Sequence, residues 1–279
     1  MINIGLALKE AVLALGNHPD ALTEAEILLS FILQKNRAYL MAHPENELLS
    51  EHIESFQYVI AKRIQGLPIA YLIGYRDFWT LRLKVNPYTL IPRPETETLV
   101  ELALQLLPKD RQPQQVLDLG TGSGAIALAL AKERPYWEIS ACDLSSEALM
   151  LAEENAKINN VDNVCFYLSN WFDALPQKQY HAIVANPPYI AESDPHLTQG
   201  DLRFEPLNAL VSSQEGLADL QCIITLSTTK LFSGGLLLLE HGYDQKIPIQ
   251  AIMNELGYQK IQTWQDLQGH DRVTGGWMF

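Results

Sequence analysis

Asn186-Pro187-Pro188-Tyr189 gathers residue types suited to holding a planar nitrogen in front of an electrophilic methyl group. The Asn186 side-chain oxygen can accept a hydrogen bond from an amide or amine N–H. Pro187 and Pro188 offer carbonyls while adding no donors of their own. Tyr189 supplies a flat wall against which a planar group can lie. The preceding apolar run, Ala182-Ile183-Val184-Ala185, reads as a buried strand that would carry the tetrapeptide to the end of a sheet. Asn-Pro is also a common turn signal, so a plain strand-ending turn is the competing reading of these four residues alone.

A second cluster lies where another apolar run gives way to helical spacing. In Asp118-Leu119-Gly120-Thr121-Gly122-Ser123-Gly124, three alternating glycines let the backbone turn sharply and approach a ligand closely. Asp143 closes the next expected strand, 19 residues after Gly124, where a carboxylate can accept from both hydroxyls of a ribose. A helix cap before Ser145-Ser146 is the other reading of Asp143. The glycine pattern by itself also fits a dinucleotide site. Asp118 favours S-adenosylmethionine, because a carboxylate beside the turn suits a cationic amino-acid tail and would repel a pyrophosphate. The tetrapeptide, ending the fourth strand next to the first, stands where a transferable methyl would lie. Trp171 follows the third strand and could stack on an adenine or simply fill the core.

The elements that must position these residues follow from periodicity. Ile4, Leu8, Val12 and Leu15, then Ala25, Leu28, Leu29, Ile32 and Leu33, have helical spacing, with Thr23 as cap and Glu26 reaching back to it. His43-Pro44 breaks the pattern, a further helix is expected over 49–64, and Gly66-Leu67-Pro68 ends it. From Asp77 to Ile91 the period becomes two, with a turn at Asn86-Pro87, which predicts a β-hairpin; the next helix opens at Thr96 or Glu97. Strands are then expected at 116–119, 138–142, 164–168, 181–185, 235–240, 260–264 and 273–279, and helices at 124–133, 146–158, 217–231 and 248–256. This rhythm predicts an α/β fold with a mainly parallel seven-stranded sheet. The last two strands, joined by a short turn, form an antiparallel hairpin at its edge. The expected domains are a helical one over 1–74, a hairpin connector over 75–95 and a Rossmann-like domain over 96–279.

Residues 1–90 hold 8 Lys/Arg against 9 Asp/Glu, whereas residues 91–279 hold 12 against 24. So acidic a surface should repel phosphate backbones, which argues against direct binding of nucleic acid and for a basic protein partner. No apolar run is long enough for a bilayer and the first residues lack a secretion pattern, so a cytoplasmic protein is expected. Cys142, Cys165 and Cys222 are far apart and the seven histidines are scattered, so no metal site is expected. Cys142 and Cys165, in apolar strand-like runs, should be buried thiols.

Taken in order, these motifs resemble the peptide-chain release factor glutamine N5-methyltransferases, the PrmC/HemK family. The resemblance spans essentially the whole chain. It includes the helical front end, Leu90-Ile91-Pro92-Arg93-Pro94-Glu95-Thr96-Glu97, the glycine loop, Asn186 to Tyr189, Arg203-Phe204-Glu205-Pro206 and Leu239-Glu240-His241-Gly242. Asn186-Pro187-Pro188-Tyr189 alone is shared with DNA adenine methyltransferases, which is the alternative activity.

The resemblance implies an enzyme that uses S-adenosylmethionine; a monomer is the default expectation. Gly120, Thr121, Gly122, Ser123, Gly124, Asp143, Trp171 and Asn186 would contact that cofactor, and Asn186, Pro187, Pro188 and Tyr189 would hold the substrate glutamine. The implied substrate is the Gly-Gly-Gln glutamine of class I release factors. Asn186, Pro187 and Tyr189 are the expected catalytic set, acting by alignment with no covalent nucleophile. Asn170 stands where an acid is expected before Trp171-Phe172, and Gly275-Gly276-Trp277 lacks an expected arginine.

Overall fold

The computed structural model describes residues 2–16, 18–108 and 112–279. The chain forms two compact units: residues up to Tyr75 together with His196–Phe204, and Arg76–Pro195 together with Glu205–Phe279.

The first unit is helical: α1 (Ile4–Ala14), α2 (Ala21–Leu33), α3 (Arg37–Ala42), α4 (Ser50–Ile64) and α5 (Ile69–Ile73). Its buried core sets Ile4, Ala7 and Ala11 of α1 against Ala25, Leu28 and Leu29 of α2 and Phe56, Val59 and Ile60 of α4, while Leu8, Val12, Leu15, Ile32 and Leu33 of the expected faces pack against it only partly buried. The start of α2 differs from expectation. The helix begins two residues before Thr23, with Asp20 at its N-cap, and Glu26 instead pairs with Arg37 while buried. Glu24, also buried, takes both ends of the Arg63 guanidinium at 2.9 and 2.7 Å, and Asp201 meets the same Arg63 at 3.0 Å. Three carboxylates thus serve helix packing rather than capping.

A two-stranded sheet follows, β1 (Tyr75–Phe78), all but its first residue in the second unit, and β2 (Leu81–Lys84). The hairpin turns at Trp79-Thr80, not at Asn86-Pro87. Trp79 adopts φ +55°, and two carboxylates fix it there: Glu97 accepts from its backbone N–H at 2.8 Å and Glu133 from its indole N–H at 2.9 Å. Asn86 does make a turn, accepting from the Tyr88 N–H at 3.0 Å, but residues 89–91 form no strand. Thr89 and Leu90 line a cavity instead, and Ile91 is buried. A 3-10 turn at Pro94–Thr96 leads into α6 (Glu97–Leu106).

The main sheet contains β3 (Gln115–Leu119), β4 (Glu138–Asp143), β5 (Val164–Leu168), β6 (Tyr180–Ala185), β7 (Leu231–Glu240), β8 (Gln259–Gln265) and β9 (Asp271–Met278). Their order is β5-β4-β3-β6-β7-β9-β8, parallel up to β7, with β9 antiparallel to both β7 and β8. The parallel strands are covered on both faces, so alternate residues of each run go to opposite cores. Val116, Ala182, Val184, Leu236 and Leu238 pack under α6 and α7 (Ala125–Glu133). Leu117, Leu119, Ile183, Ala185, Leu237 and Leu239 pack under α10 (Ala218–Ser227) and α11 (Lys246–Glu255). Two further helices, α8 (Ser146–Ile158) and the short α9 (Ser213–Gly216), complete the unit.

Cys142 is buried as expected, but Cys165 is exposed because β5 is the edge of the sheet. No helix among the described residues is long and apolar enough to cross a membrane.

Candidate active site

β3 and β6 lie side by side at the centre of the sheet, so the glycine loop after β3 and the tetrapeptide after β6 emerge together at the strands' carboxyl ends. One cavity joins them. Gly120, Thr121, Gly122, Ser123, Asp143, Trp171, Asn186 and Pro188 line it, with Asn170, Arg93 and Thr96. Asp118, Gly124, Pro187 and Tyr189 do not line it.

Asp118 lies beneath the loop, fully buried. One oxygen accepts from the Thr121 hydroxyl at 2.6 Å and the Ala127 N–H at 3.1 Å, which ties the glycine turn to the first turn of α7. Its other oxygen, Oδ1, is buried with no partner. Burial pushes the carboxyl up to about 7, against the pull of the Thr121 and Ala127 bonds. Gly120 needs its φ of +69°, and a Cβ there would press on the Trp171 ring at 3.4 Å. Gly124, at φ +86°, serves packing, since a Cβ would meet Leu128 and Ala152 at 3.0 and 3.2 Å.

Asp143 at the tip of β4 accepts from the Gly122 N–H at 2.8 Å on one oxygen and the Ser145 N–H at 2.9 Å on the other. With the Leu144 N–H also directed at it, the carboxylate, which offers about four acceptor sites, still keeps capacity for a further donor. The cap of α8 is Ser145, not Asp143. Trp171 has φ +45°, and its carbonyl accepts from the Ser169 hydroxyl at 3.0 Å. Non-glycine residues held in this region cluster at active sites and ligand clamps. Asn155, wholly buried in α8, donates to the Ser123 carbonyl at 2.9 Å and exchanges bonds with the Lys84 backbone, fastening loop and hairpin to one side chain.

At the tetrapeptide, Asn186 Nδ2 donates to Thr96 Oγ1 at 3.1 Å, which fixes the plane of the carboxamide. The Tyr189 hydroxyl donates to Glu240 Oε1 at 3.3 Å, and its carbonyl accepts from Gln245 at 3.0 Å. Gly216 packs so tightly on that carbonyl that a Cβ would stand 2.1 Å from it. Glu240, the last residue of β7, is buried, and burial pushes its carboxyl up to about 7 despite Thr96, Arg272 and Tyr189. Arg93 pairs with the buried Glu205 carboxylate, which also accepts from the Ile91 N–H at 3.3 Å. Arg93 thus stands in the cavity wall while tied to Glu205.

Thr96 and Glu240 were not singled out for chemistry in the sequence. The available signal was a carboxylate ending the all-leucine run Leu236–Leu239, where burial is nearly certain and a charge needs a reason.

The residues fit S-adenosylmethionine on structural grounds. Gly120 and the Trp171 indole line one cavity, Asp143 keeps acceptor capacity at the second strand tip, and an unpartnered carboxylate oxygen lies under the loop.

Comparison with known proteins agrees. Residues 96–201 match the family model "Methyltransferase small domain" and residues 7–74 match "PrmC N-terminal domain". A release factor glutamine methyltransferase of Coxiella burnetii is 49% identical over 250 residues, covering 90% of this chain and 89% of that one. One of Vibrio cholerae is 48% identical over 279 residues, covering 99% and 96%. A solved methyltransferase from Pyrococcus furiosus shares the fold, with a TM-score of 0.53 at 16% identity over 82% of this chain and 98% of that one. With near-half identity along almost its full length, the chain belongs to the release factor glutamine methyltransferase family.

Proposed function

We propose that the protein methylates the side-chain nitrogen of the glutamine in the Gly-Gly-Gln motif of class I release factors, a modification that supports translation termination. The observation that carries this is the set of the Asn186 carboxamide: with Nδ2 committed to Thr96, Oδ1 remains as an acceptor beside the glycine-loop cavity.

A carboxamide nitrogen is a poor nucleophile because its lone pair is delocalised into the carbonyl. Two acceptors, Asn186 Oδ1 and the Pro187 carbonyl, would take its two N–H groups and hold the nitrogen's lone pair facing the methyl. Accepting from both N–H groups also favours the tetrahedral nitrogen that develops, so the contacts strengthen toward the transition state. Pro187 suits this because it has no N–H to compete. Tyr189, anchored at both its hydroxyl and its carbonyl, would flank the amide plane. S-adenosylmethionine held by the glycine loop, Asp143 and Trp171 supplies a sulfonium-activated methyl group. The products are N5-methylglutamine, S-adenosylhomocysteine and one proton. The proton leaves an extremely acidic N-protonated amide, so water can take it and no buried base is required.

Asn186→Ala tests the assignment. It should keep cofactor affinity within roughly tenfold while turnover falls by about 10²-fold or more, as for loss of an oriented acceptor. The measure is methyl label on release factor, with adenine-containing DNA as the parallel substrate. Wild-type turnover in the variant removes Asn186 from this role, and label on DNA alone removes the substrate.

A further inference from the structure

Glu240 raises a question that the transfer chemistry leaves unanswered. A carboxylate at the end of a leucine strand, 1% exposed and with Oε2 lacking any partner of good geometry, is costly to bury. Its surroundings do not form an ion pair tight enough to offset that. Arg272 faces it, but its guanidinium bonds to Asp266 at 3.2 Å and to the His241 carbonyl at 3.2 Å. What Glu240 does touch is the acceptor site. The Tyr189 hydroxyl donates to Oε1, and the Thr96 hydroxyl lies close enough to favour the ionised form.

The donor count in this network has one solution. Asn186 presents Oδ1 to a substrate only if Nδ2 is turned to Thr96, and Thr96 Oγ1 must then accept. The Thr96 hydroxyl proton needs another acceptor, and an ionised carboxylate can only accept. We infer that Glu240 is a positioning residue for the methyl-acceptor site: by drawing the hydroxyl protons of Thr96 and Tyr189 toward itself, its carboxylate keeps the Asn186 carboxamide oxygen facing the substrate amide. This rests on the glutamine-binding role of Asn186 proposed above and adds the group that sets its orientation.

Protonation breaks the arrangement. A neutral Glu240 can donate to Thr96, which frees the Thr96 hydroxyl to point at Asn186 and rewards the reversed carboxamide. The reversed form turns an NH2 group toward the substrate N–H groups. The groups that face Glu240 are Thr96 and Glu95 from the 3-10 turn, Tyr189 after β6 and Arg272 of β9; Arg93 acts on Tyr189. Burial above all, with Glu95, favours the neutral acid, and Thr96, Arg272 and Tyr189 oppose it. The balance puts the carboxyl near 7. Turnover should therefore fall as pH drops through neutrality.

The test uses the full chain, S-adenosylmethionine and intact release factor, with kcat and KM followed from pH 5.5 to 9. Wild type should show an acidic limb in kcat with a midpoint near 7. Glu240→Gln should lower kcat by about 10²-fold at pH 8, the size expected for one misplaced polar partner, and erase that limb while cofactor affinity stays within about twofold. Thr96→Val should do the same, and Thr96→Ser, which keeps the hydroxyl, should restore the wild-type profile. A flat wild-type kcat between pH 6 and 8 overturns the inference without any variant. So does Glu240→Gln with normal kcat, or Thr96→Val with the acidic limb intact. If wild type fails to label release factor at all, the substrate reading fails instead.

Discussion

A side chain that works by orientation is only as good as the groups that deny it the alternative orientation. Asn186 could be picked out from sequence because its chemistry is local: an amide, two prolines and a ring in one tetrapeptide. Gly120 and Asp143 were legible as cavity residues for the same reason, since a glycine turn and a strand-end acid stand out in residue type and spacing, and both line the cavity. Thr96 and Glu240 were not, because their partners lie 90 and 51 residues away in the chain and only the sheet order brings them together. Asp118 was legible as a residue but not in its part: it holds the loop from below, outside the cavity.

That burial has a measurable consequence. The Asp118 carboxyl stands near 7 in the fold, well above its ordinary value of 3.8. Between those values the native protein holds a proton that the unfolded chain has released, so stability falls as pH rises from about 4 to about 7 and levels off beyond. Glu240, also raised, adds a fall of the same sign. In denaturant titrations across that range, Asp118→Asn should flatten the slope; an unchanged slope would mean that Asp118 is ionised throughout.

At the scale of elements, what could be read was whatever repeats. Apolar runs of strand length and helices spaced at three and four residues give the seven strands and their covering helices to within a few residues, because both signals are averaged over a whole element. Turns held by distant side chains escaped. Trp79 takes a left-handed backbone without glycine because Glu97 and Glu133 hold it, and no local pattern announces such a contact. The α2 cap was misplaced for a similar reason, since Glu26 is more valuable to Arg37 than to the helix end.

The glycine pair of β9 shows the opposite case, a local oddity with a packing cause. β9 lies between β7 and β8, and a Cβ on Gly275 would stand 2.5 Å from Leu238 Cδ2 and 2.8 Å from the Leu237 carbonyl. Where an arginine was expected, the close approach of two strands admits no side chain at position 275. Gly275→Ala should cost about 1–3 kcal/mol through overpacking, or roughly 2–10 °C in Tm. Gly216→Ala should be worse for activity than for stability. A Cβ there would strike the Tyr189 carbonyl at 2.1 Å in a backbone of φ +81°, shifting the tetrapeptide itself. Calorimetry combined with kcat separates the two, and equal losses in both variants would mean that Gly216 has no special hold on Tyr189.

For the molecule as a whole, the uneven charge is the property that no single residue carries. Residues 91–279 hold 12 more acidic than basic side chains, while residues 1–90 are nearly balanced. A field of that sign around the catalytic unit repels polyanions and speeds encounter with a basic protein surface, mainly through the association rate. Screening grows with ionic strength, since the Debye length shrinks from about 14 Å at 50 mM to about 6 Å at 300 mM by the square-root scaling. The expected signature is a kcat/KM for intact release factor that falls several-fold over that range, with kcat unchanged because the carboxamide is held by short-range contacts. A short uncharged peptide carrying Gly-Gly-Gln should be slower at every salt concentration yet nearly insensitive to it. If peptide and protein respond to salt alike, the charge acts locally at the cavity; if neither responds, it plays no part in finding the substrate.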